Sequence, residues 1–180
     1  MNLRNEIISR FGIEYIDDPL PGPRNDDEVI LDVPGYRQTK DYTCGFVAGL
    51  IVLHTFFPKR SAARFLKDTR PRESWGLTSW KLVKVLRKNG VGISKRLKMS
   101  FRGVKKEIDL GFPIITSVKT NVRGEYHWVV IYGYGQRPHR VFVAGNGIPY
   151  LDFIRGKDAL WSKFSKTLCP DGEFLVTYGK

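Results

Sequence analysis

Cysteine, histidine and methionine are scarce in this 180-residue chain, which contains two Cys, two Met and three His. Two Cys are too few for the disulfide framework of a small secreted protein. The Cys and His residues also lie too far apart to give the ligand spacing that zinc sites require. We therefore expect no metal, no cofactor and a reducing compartment in which both thiols stay free.

Long apolar runs are also missing. No stretch of about 18 apolar residues is present, and the N-terminus lacks the charged, apolar and small-residue order of a secretory signal. These absences predict a cytoplasmic protein without a membrane span. The chain is 42% apolar, which suffices for one ordinary core. We expect a single domain over 33–180, preceded over 1–32 by a helix from Leu3 to Phe11 and a Pro- and Asp-rich connector.

Acidic residues are few relative to basic ones, 18 against 30, so the formal net charge is +12. Such a balance favours encounters with acidic partners. The densest basic run, 95–106, alternates with apolar residues, so a solvated strand or helix face explains it without a ligand. No nucleic-acid-binding signature accompanies this run. The predicted partner is a peptide or protein substrate, for which acidic character would suit the charge, and nucleic acid bound through 95–106 is the alternative.

Cys44 lies at the start of the most apolar stretch of the chain, 46–57, which predicts a helix. A helix N-terminus lowers the pKa of a thiol, and the thiolate is the form that attacks a carbonyl. Gln38, six residues earlier, could place its amide beside the Cys44 N–H as a second donor to an oxyanion. The alternative for Cys44 is a small buried apolar residue.

A nucleophilic Cys needs a base, and the three His residues differ in their suitability. His54 lies ten residues beyond Cys44 in the same predicted helix, about 15 Å along its axis and out of reach. His139 lies in a polar turn. His127 begins a β-branched and aromatic run that predicts a buried strand, so it is the candidate base.

Asn146 is the candidate third member. A short hairpin loop over 135–139 would place the end of the next strand, and hence Asn146, beside His127. Its side-chain oxygen could accept from one imidazole N–H and orient the other nitrogen toward the thiol. A turn residue at positive φ is the alternative reading of Asn146, and Asp152 is an alternative orienting group.

These motifs, Gln38-x5-Cys44-Gly45, His127-Trp128-Val129-Val130 and the polar residue after the next strand, resemble the papain-like cysteine peptidase clan. They are most similar to the bacteriocin-processing (double-glycine leader) peptidase family. The similarity extends over roughly 33–150 and includes the segments 76–90 and 109–115. Two departures are visible: Thr43 and Phe46 flank Cys44-Gly45 where the family usually has Asp and Pro, and Asn146 is followed by Gly147 where it commonly has Asp-Pro.

The resemblance implies a bacterial thiol hydrolase that cleaves a peptide or isopeptide bond. Cys44 would be the nucleophile, His127 the base, Asn146 the orienting group and Gln38 an oxyanion donor. Two alternatives stay open: an acyltransferase of the transglutaminase or phytochelatin-synthase kind, and an inactive papain-like module that binds an acidic partner or nucleic acid. Cys169 lies in a turn signal and is expected to be a semi-exposed or buried thiol rather than a resolving partner of Cys44.

The order of elements predicts the fold class. Apolar periodicity indicates helices over 46–57, 61–66 and 79–88, and β-branched runs indicate strands over 114–119, 127–134, 140–145 and 173–178. Helices that precede strands are typical of an α+β domain. We therefore expect an α+β, papain-like fold with N-terminal helices packed on a C-terminal antiparallel β-sheet.

Overall fold

The structure is a computed structural model that describes residues 13–15, 23, 25–38, 40–119, 126–145, 158–170 and 172–179. Its helices are α1 (Cys44–Phe56), α2 (Ala62–Thr69), α3 (Ser79–Lys88), α4 (Phe101–Asp109) and α5 (Trp161–Thr167). Its strands are β1 (Ile13–Tyr15), β2 (Glu28–Ile30), β3 (Tyr36–Gln38), β4 (Val91–Arg96), β5 (Ile114–Lys119), β6 (Tyr126–Gly135), β7 (Arg140–Ala144), β8 (Asp158–Leu160) and β9 (Phe174–Gly179).

Seven strands form the main sheet, and every neighbouring pair is antiparallel. Their order is β4-β9-β5-β6-β7-β8, and β2 also pairs with β6, whereas β1 and β3 form a separate two-stranded sheet. The long strand β6 carries the predicted base at its beginning and meets β2 at its end. Gly133 is required there, because a methyl group at this position would lie 2.7 Å from the Val29 carbonyl oxygen.

Helix α1 lies in the main core. All of its residues from Cys44 to His54 are buried, because the helix is apolar on every side and packs against both the sheet and the other helices. Helices α2 and α3 cover α1 and are amphipathic, with Phe65 and Leu82 among the side chains that they bury. Ser61 and Thr78 begin these two helices, since each side-chain oxygen accepts from the backbone N–H three residues later.

A second core lies on the opposite face of the sheet. Helices α4 and α5 pack there through Val104, Ile108 and Phe164. The α+β papain-like fold, with helices packed on an antiparallel sheet, is confirmed. The predicted strands 114–119, 127–134, 140–145 and 173–178 correspond to β5, β6, β7 and β9 within one residue at each end.

The N-terminal part of the chain bears on the predicted domain division. The expected helix from Leu3 to Phe11 lies outside the described residues. Strand β2, which precedes the boundary expected at residue 32, pairs with β6 of the main sheet. The division into 1–32 and 33–180 stays a prediction.

Candidate active site

Cys44 is the first residue of α1, at the end of a 3-10 turn over Asp41–Thr43. Its side chain is buried, and the residue is 7% exposed. Three backbone N–H groups donate toward the sulfur, those of Cys44 itself, Gly45 and Trp128. The first two belong to the open end of the helix, and the third comes from the strand that carries His127.

Burial raises the pKa of the Cys44 thiol above its ordinary value, although the three N–H groups act in the opposite direction. The helix N-terminus therefore lowers the pKa of the thiol as expected, but burial raises this pKa by more, because a buried thiolate loses its hydration. At neutral pH the sulfur is protonated in this structure. An attack on a carbonyl consequently requires a base that removes the proton during the reaction.

Trp128 packs directly against Cys44 and its neighbour. Its indole N–H donates to the Leu77 carbonyl oxygen at 3.0 Å, which fixes the ring against the start of α1. Gly45 leaves room for this ring, since a methyl group there would lie 2.9 Å from Trp128 Cδ1 and 3.0 Å from Leu77 Cβ. The Gly that follows the nucleophile therefore permits the close approach of α1 to β6.

His127 is buried near the beginning of β6, 7% exposed and opposite Val118 of β5. Burial lowers the pKa of its imidazole to about 4, so the ring is neutral at pH 7. Nε2 is buried and has no hydrogen-bond partner within the described part of the chain. The Cys44 sulfur therefore does not hydrogen-bond to Nε2 in this structure, although the next residue along the strand donates its N–H to that sulfur.

Gln38 ends β3 and is buried, 8% exposed. Together with Cys44 and Trp128, it lines a small cavity that is bounded on another side by Gly145. The structure thus places Gln38 beside Cys44, as the six-residue spacing predicts. The position agrees with the expected place of an oxyanion donor, and the role itself stays a prediction.

Asn146 and Asp152 lie outside the described residues. The last described pair of the β6–β7 ladder joins Val130 to Ala144. Gly145, which follows, is in contact with the small cavity beside Cys44. Gly145 therefore lies beside the cavity that Cys44 lines, and the position of Asn146 beside His127 stays a prediction.

A cleft of about 780 Å³ opens in front of Cys44. Among the described residues, Trp128 borders this cleft and His127 does not, because successive side chains of a strand point to opposite faces. Exposed aromatic rings form much of the rim: Trp75 is 65% exposed, Trp80 66% and Tyr126 52%. No sequence pattern predicts this cluster, because Tyr126 lies far along the chain from Trp75 and Trp80 and joins them only in the fold.

One wall of the cleft is held by Glu173, a partly buried carboxylate immediately before β9. Glu173 accepts hydrogen bonds from Lys95 Nζ at 2.9 Å and from the Ser79 hydroxyl. The hydroxyl and the ammonium hold the pKa of the Glu173 carboxyl below its ordinary value. This cluster ties β4, β9 and α3 together beside the cleft.

Cys169 also lines this cleft and is a free, partly buried thiol. Its backbone N–H donates to the Ser117 carbonyl oxygen at 3.1 Å. The semi-exposed thiol that the turn signal predicts is therefore present, and it is not bonded to Cys44.

The other two His residues are occupied elsewhere. His54 Nε2 donates to the Arg60 carbonyl oxygen at 2.9 Å, which leaves Nδ1 to accept from the Tyr36 hydroxyl. The His139 ring stacks on Phe101 with 4.3 Å between ring centroids, in the turn between β6 and β7. Neither ring lines the cleft. Of the three His residues, only His127 lies next in sequence to a residue that contacts Cys44.

Comparison with known proteins gives one family and a set of similar folds. The family model described as "Peptidase_C39 like family" matches residues 30–145, which include Gln38, Cys44 and His127. No curated protein matches the chain by sequence.

Two solved structures share the fold. A double glycine motif protease from an AMS/PCAT transporter, solved in complex with the leader peptide, superposes with a TM-score of 0.61 at 15% identity and covers 84% of this chain and 95% of its own. The peptidase domain of Streptococcus ComA, a bi-functional ABC transporter involved in a quorum sensing pathway, gives 0.60 at 17% identity, with 82% and 97% covered. At these identities the similarity establishes the fold alone.

Proposed function

Since the chain belongs to the Peptidase_C39 like family, we propose that it is a papain-like cysteine peptidase that hydrolyses a peptide or isopeptide bond. The observation that carries this proposal is the position of Cys44. Its thiol lies at the N-terminus of a buried helix, borders an open cleft and receives the N–H of the residue that follows His127. The proposed nucleophile therefore adjoins a substrate space, and the strand that carries the proposed base passes beside it.

The protonation states support a general-base mechanism. The thiol and the imidazole are both neutral at pH 7, because burial raises the pKa of the first and lowers that of the second. His127 would remove the Cys44 proton as the sulfur attacks the carbonyl carbon, and it would then give that proton to the leaving amine. Water would hydrolyse the resulting thioester by the same base catalysis, which returns the free thiol.

The buried Nε2 of His127 supports its assignment as the base. A buried imidazole nitrogen without a partner is costly and rare in proteins, whereas a nitrogen that accepts the thiol proton has a reason to be present. Catalytic hydrogen bonds are often long in the absence of substrate and shorten in the complex. Because the side chains of His127 and Trp128 point to opposite faces of β6, the proposal requires the start of this strand to rearrange when substrate binds.

Two further residues complete the proposed centre. Gln38, which shares the small cavity with Cys44, would donate its amide N–H to the oxyanion together with the Cys44 backbone N–H. Asn146 would orient the imidazole through its side-chain oxygen, and Asp152 is the alternative for that role. The observation in favour of Asn146 is that Gly145 already lies at the cavity.

The direct test of the nucleophile is alkylation with iodoacetamide, read by mass spectrometry of the intact protein and of its peptides. We expect the wild type to be labelled at Cys44, and Cys44→Ala to lose that label. Cys169→Ala is the matched control, because it removes the other free thiol of the same cleft and leaves the nucleophile in place. Labelling confined to Cys169 would contradict the proposal.

The same reaction tests the proposed base. Since burial raises the pKa of the Cys44 thiol, labelling should accelerate as the pH rises through the alkaline range. His127→Gln should slow labelling of Cys44 near neutral pH and have little effect at high pH, where hydroxide removes the proton. An equal rate for both proteins at pH 7 would remove His127 from the mechanism.

A further inference from the structure

Helices α2 and α3 carry an unusual share of the positive charge of the molecule. The two helices and the Arg70 that caps α2 contain seven basic residues and one acidic residue, Asp68. Their net of six positive charges is half of the formal +12 of the whole chain. These elements pack against α1, and Ser79 and Trp80 of α3 line the cleft.

The charges form one continuous face. Lys88 Nζ joins the Asp68 carboxylate at 3.0 Å, and the pKa of Asp68 is lowered by Lys88 first and then by the nearby charges of Arg64 and Lys81. Lys84 lies between Lys81 and Lys88 on the same side of α3, at helical spacing. We call Arg64, Lys81, Lys84 and Lys88 the α2–α3 basic face.

This face continues into the cleft through Trp80. The exposed Trp80 ring lines the cleft, and Lys84 Nζ lies 4.9 Å above the centroid of that ring. At the same rim, the Arg72 guanidinium lies 5.0 Å from the Trp75 ring. A chain that leaves the cleft over these two rings therefore meets cationic groups immediately.

The cleft itself carries the opposite charge. Asp41 and Glu73 line it and are exposed, and Lys95 within it is paired with Glu173. An acidic segment would consequently be repelled from the cleft and attracted to the helices beside it. The two surfaces suit different parts of one polypeptide.

We propose that the α2–α3 basic face binds an acidic segment of the peptide substrate, outside the cleft in which the scissile bond lies. This inference rests on the proposed function, because the peptide that binds to the basic face is the same substrate peptide that Cys44 attacks. The exposed aromatic rims would hold apolar side chains between the acidic segment and the reacting bond. Substrates without that segment would reach Cys44 with lower affinity.

The first test is binding of a fluorescein-labelled dodecapeptide of alternating glutamate and glycine, followed by fluorescence anisotropy. We expect the wild type to bind it with an affinity that falls as salt rises, and not to bind the lysine-glycine counterpart. The triple variant Arg64→Glu/Lys81→Glu/Lys84→Glu should raise the Kd for the acidic peptide at least about tenfold. Lys88 is kept in this variant, because it holds Asp68.

The matched control is Lys98→Glu/Arg102→Glu/Lys106→Glu. These three residues are exposed at or near α4, on the opposite face of the sheet, and the variant changes the net charge by the same amount. We expect it to keep the wild-type Kd for the acidic peptide. Equal weakening in both variants would show that binding follows net charge alone and would overturn the proposal. Tighter binding of dodecathymidylate, or of phosphatidylserine-containing vesicles, than of the acidic peptide would also overturn it.

The second test connects the face to the nucleophile. The acidic and basic dodecapeptides, each with a bromoacetyl group at one end or the other, are compared as alkylating agents of Cys44. We expect one acidic reagent to label Cys44 at least about tenfold faster than its basic counterpart, and the advantage to disappear in the α2–α3 variant. Equal rates for all reagents would separate the face from the cleft and contradict the proposal.

Labelling by iodoacetamide distinguishes the peptidase proposal from the proposal that the basic face binds an acidic segment. This small reagent does not contact the basic face, so the α2–α3 variant should react at Cys44 at the wild-type rate. A wild type that is not labelled at Cys44 refutes the peptidase proposal, whatever binds to the helices. A wild type that is labelled at Cys44 but shows no preference for acidic peptides refutes only the binding of an acidic segment to the basic face.

Discussion

The proposed chemistry depends on two buried residues with neutral resting states. Cys44 and His127 are each less than a tenth exposed, and burial shifts their pKa values in opposite directions. A surface thiolate would be more reactive toward any electrophile. A buried, protonated thiol needs a base to remove its proton, which favours reaction with molecules that fit the cleft.

His127 should make the fold sensitive to acid. Its pKa is about 4 in the folded protein against 6.5 in the unfolded chain, so between these values the unfolded state binds a proton that the folded state does not. The free energy of unfolding should therefore fall as the pH falls through this window, by up to about 3 kcal/mol from this residue. The stability is fully present above pH 6.5.

Urea denaturation at several pH values between 7 and 4 measures this effect. His127→Gln should show a shallower decrease of stability with falling pH than the wild type, because the group that takes up the proton on unfolding is absent. The comparison cancels the contribution of the carboxylates, which both proteins share. Parallel curves for the two proteins would mean that His127 is not buried in its neutral form.

Gln38 permits a test that separates oxyanion stabilisation from the nucleophile. Gln38→Ala should reduce kcat for peptide hydrolysis by about 10²–10³, since one donor to the oxyanion is lost. Alkylation of Cys44 by iodoacetamide forms no oxyanion, and its rate should change little. A parallel loss in both reactions would indicate that the substitution disturbs Cys44 itself.

At the scale of elements, α1 positions Cys44, because the sheet and helices α2 and α3 pack around this helix. Its glycines lie where other elements approach most closely: Gly45 faces Trp128, and Gly49 faces Phe65 and Leu82. A methyl group at Gly49 would lie 2.7 Å from Leu82 Cδ1 and 2.9 Å from the Phe65 ring. The helix that carries the nucleophile is thus held by contacts with both the sheet and the neighbouring helices.

Two helical Gly→Ala substitutions should have opposite effects on stability. Gly49→Ala should destabilise the protein by about 1–3 kcal/mol through overpacking. Gly103→Ala in α4 should stabilise it by about 0.4–1 kcal/mol, because the nearest atom to the new methyl group is 3.6 Å away and the unfolded chain loses entropy. Urea denaturation of both variants checks the signs, and stabilisation by Gly49→Ala would show that α1 is packed more loosely than described.

The helices and strands differ in how well the local sequence pattern predicts them. The strands β5, β6, β7 and β9 and the helices α1 and α3 could be predicted, because apolar and β-branched runs mark them in the sequence. The run 95–106 was ambiguous, and the structure places in it the end of β4 and the start of α4. Short strands such as β2 and β8 carry no periodic signal, since pairing with β6 and β7 stabilises them rather than local preference.

At the scale of the whole molecule, the fold brings together what the sequence separates. The proximity of Gln38 to Cys44 could be predicted from sequence, because it depends on local structure, whereas His127 as the base stays a prediction that the scarcity of His suggests. The aromatic rim of the cleft and the α2–α3 basic face could not be predicted, since each combines residues from segments that meet only after folding. Burial raises the pKa of Cys44 by more than the helix end lowers it. The sequence does not predict this balance, because burial depends on the tertiary structure.

None of the helices in the described part of the chain combines the length and the apolar character that crossing a bilayer requires. The two solved structures of similar fold are named as parts of transporters. The comparisons therefore establish the family and the fold of this chain.

The most direct measurement is cleavage of a peptide library by the purified protein, with the new termini identified by mass spectrometry. The wild type should cleave a subset of peptides after a common sequence pattern, and Cys44→Ala, measured beside it, should cleave none. Cys169→Ala should retain the wild-type pattern. Cleavage that persists in Cys44→Ala, or its absence from the wild type under conditions in which iodoacetamide labels Cys44, would contradict the assignment as a cysteine peptidase.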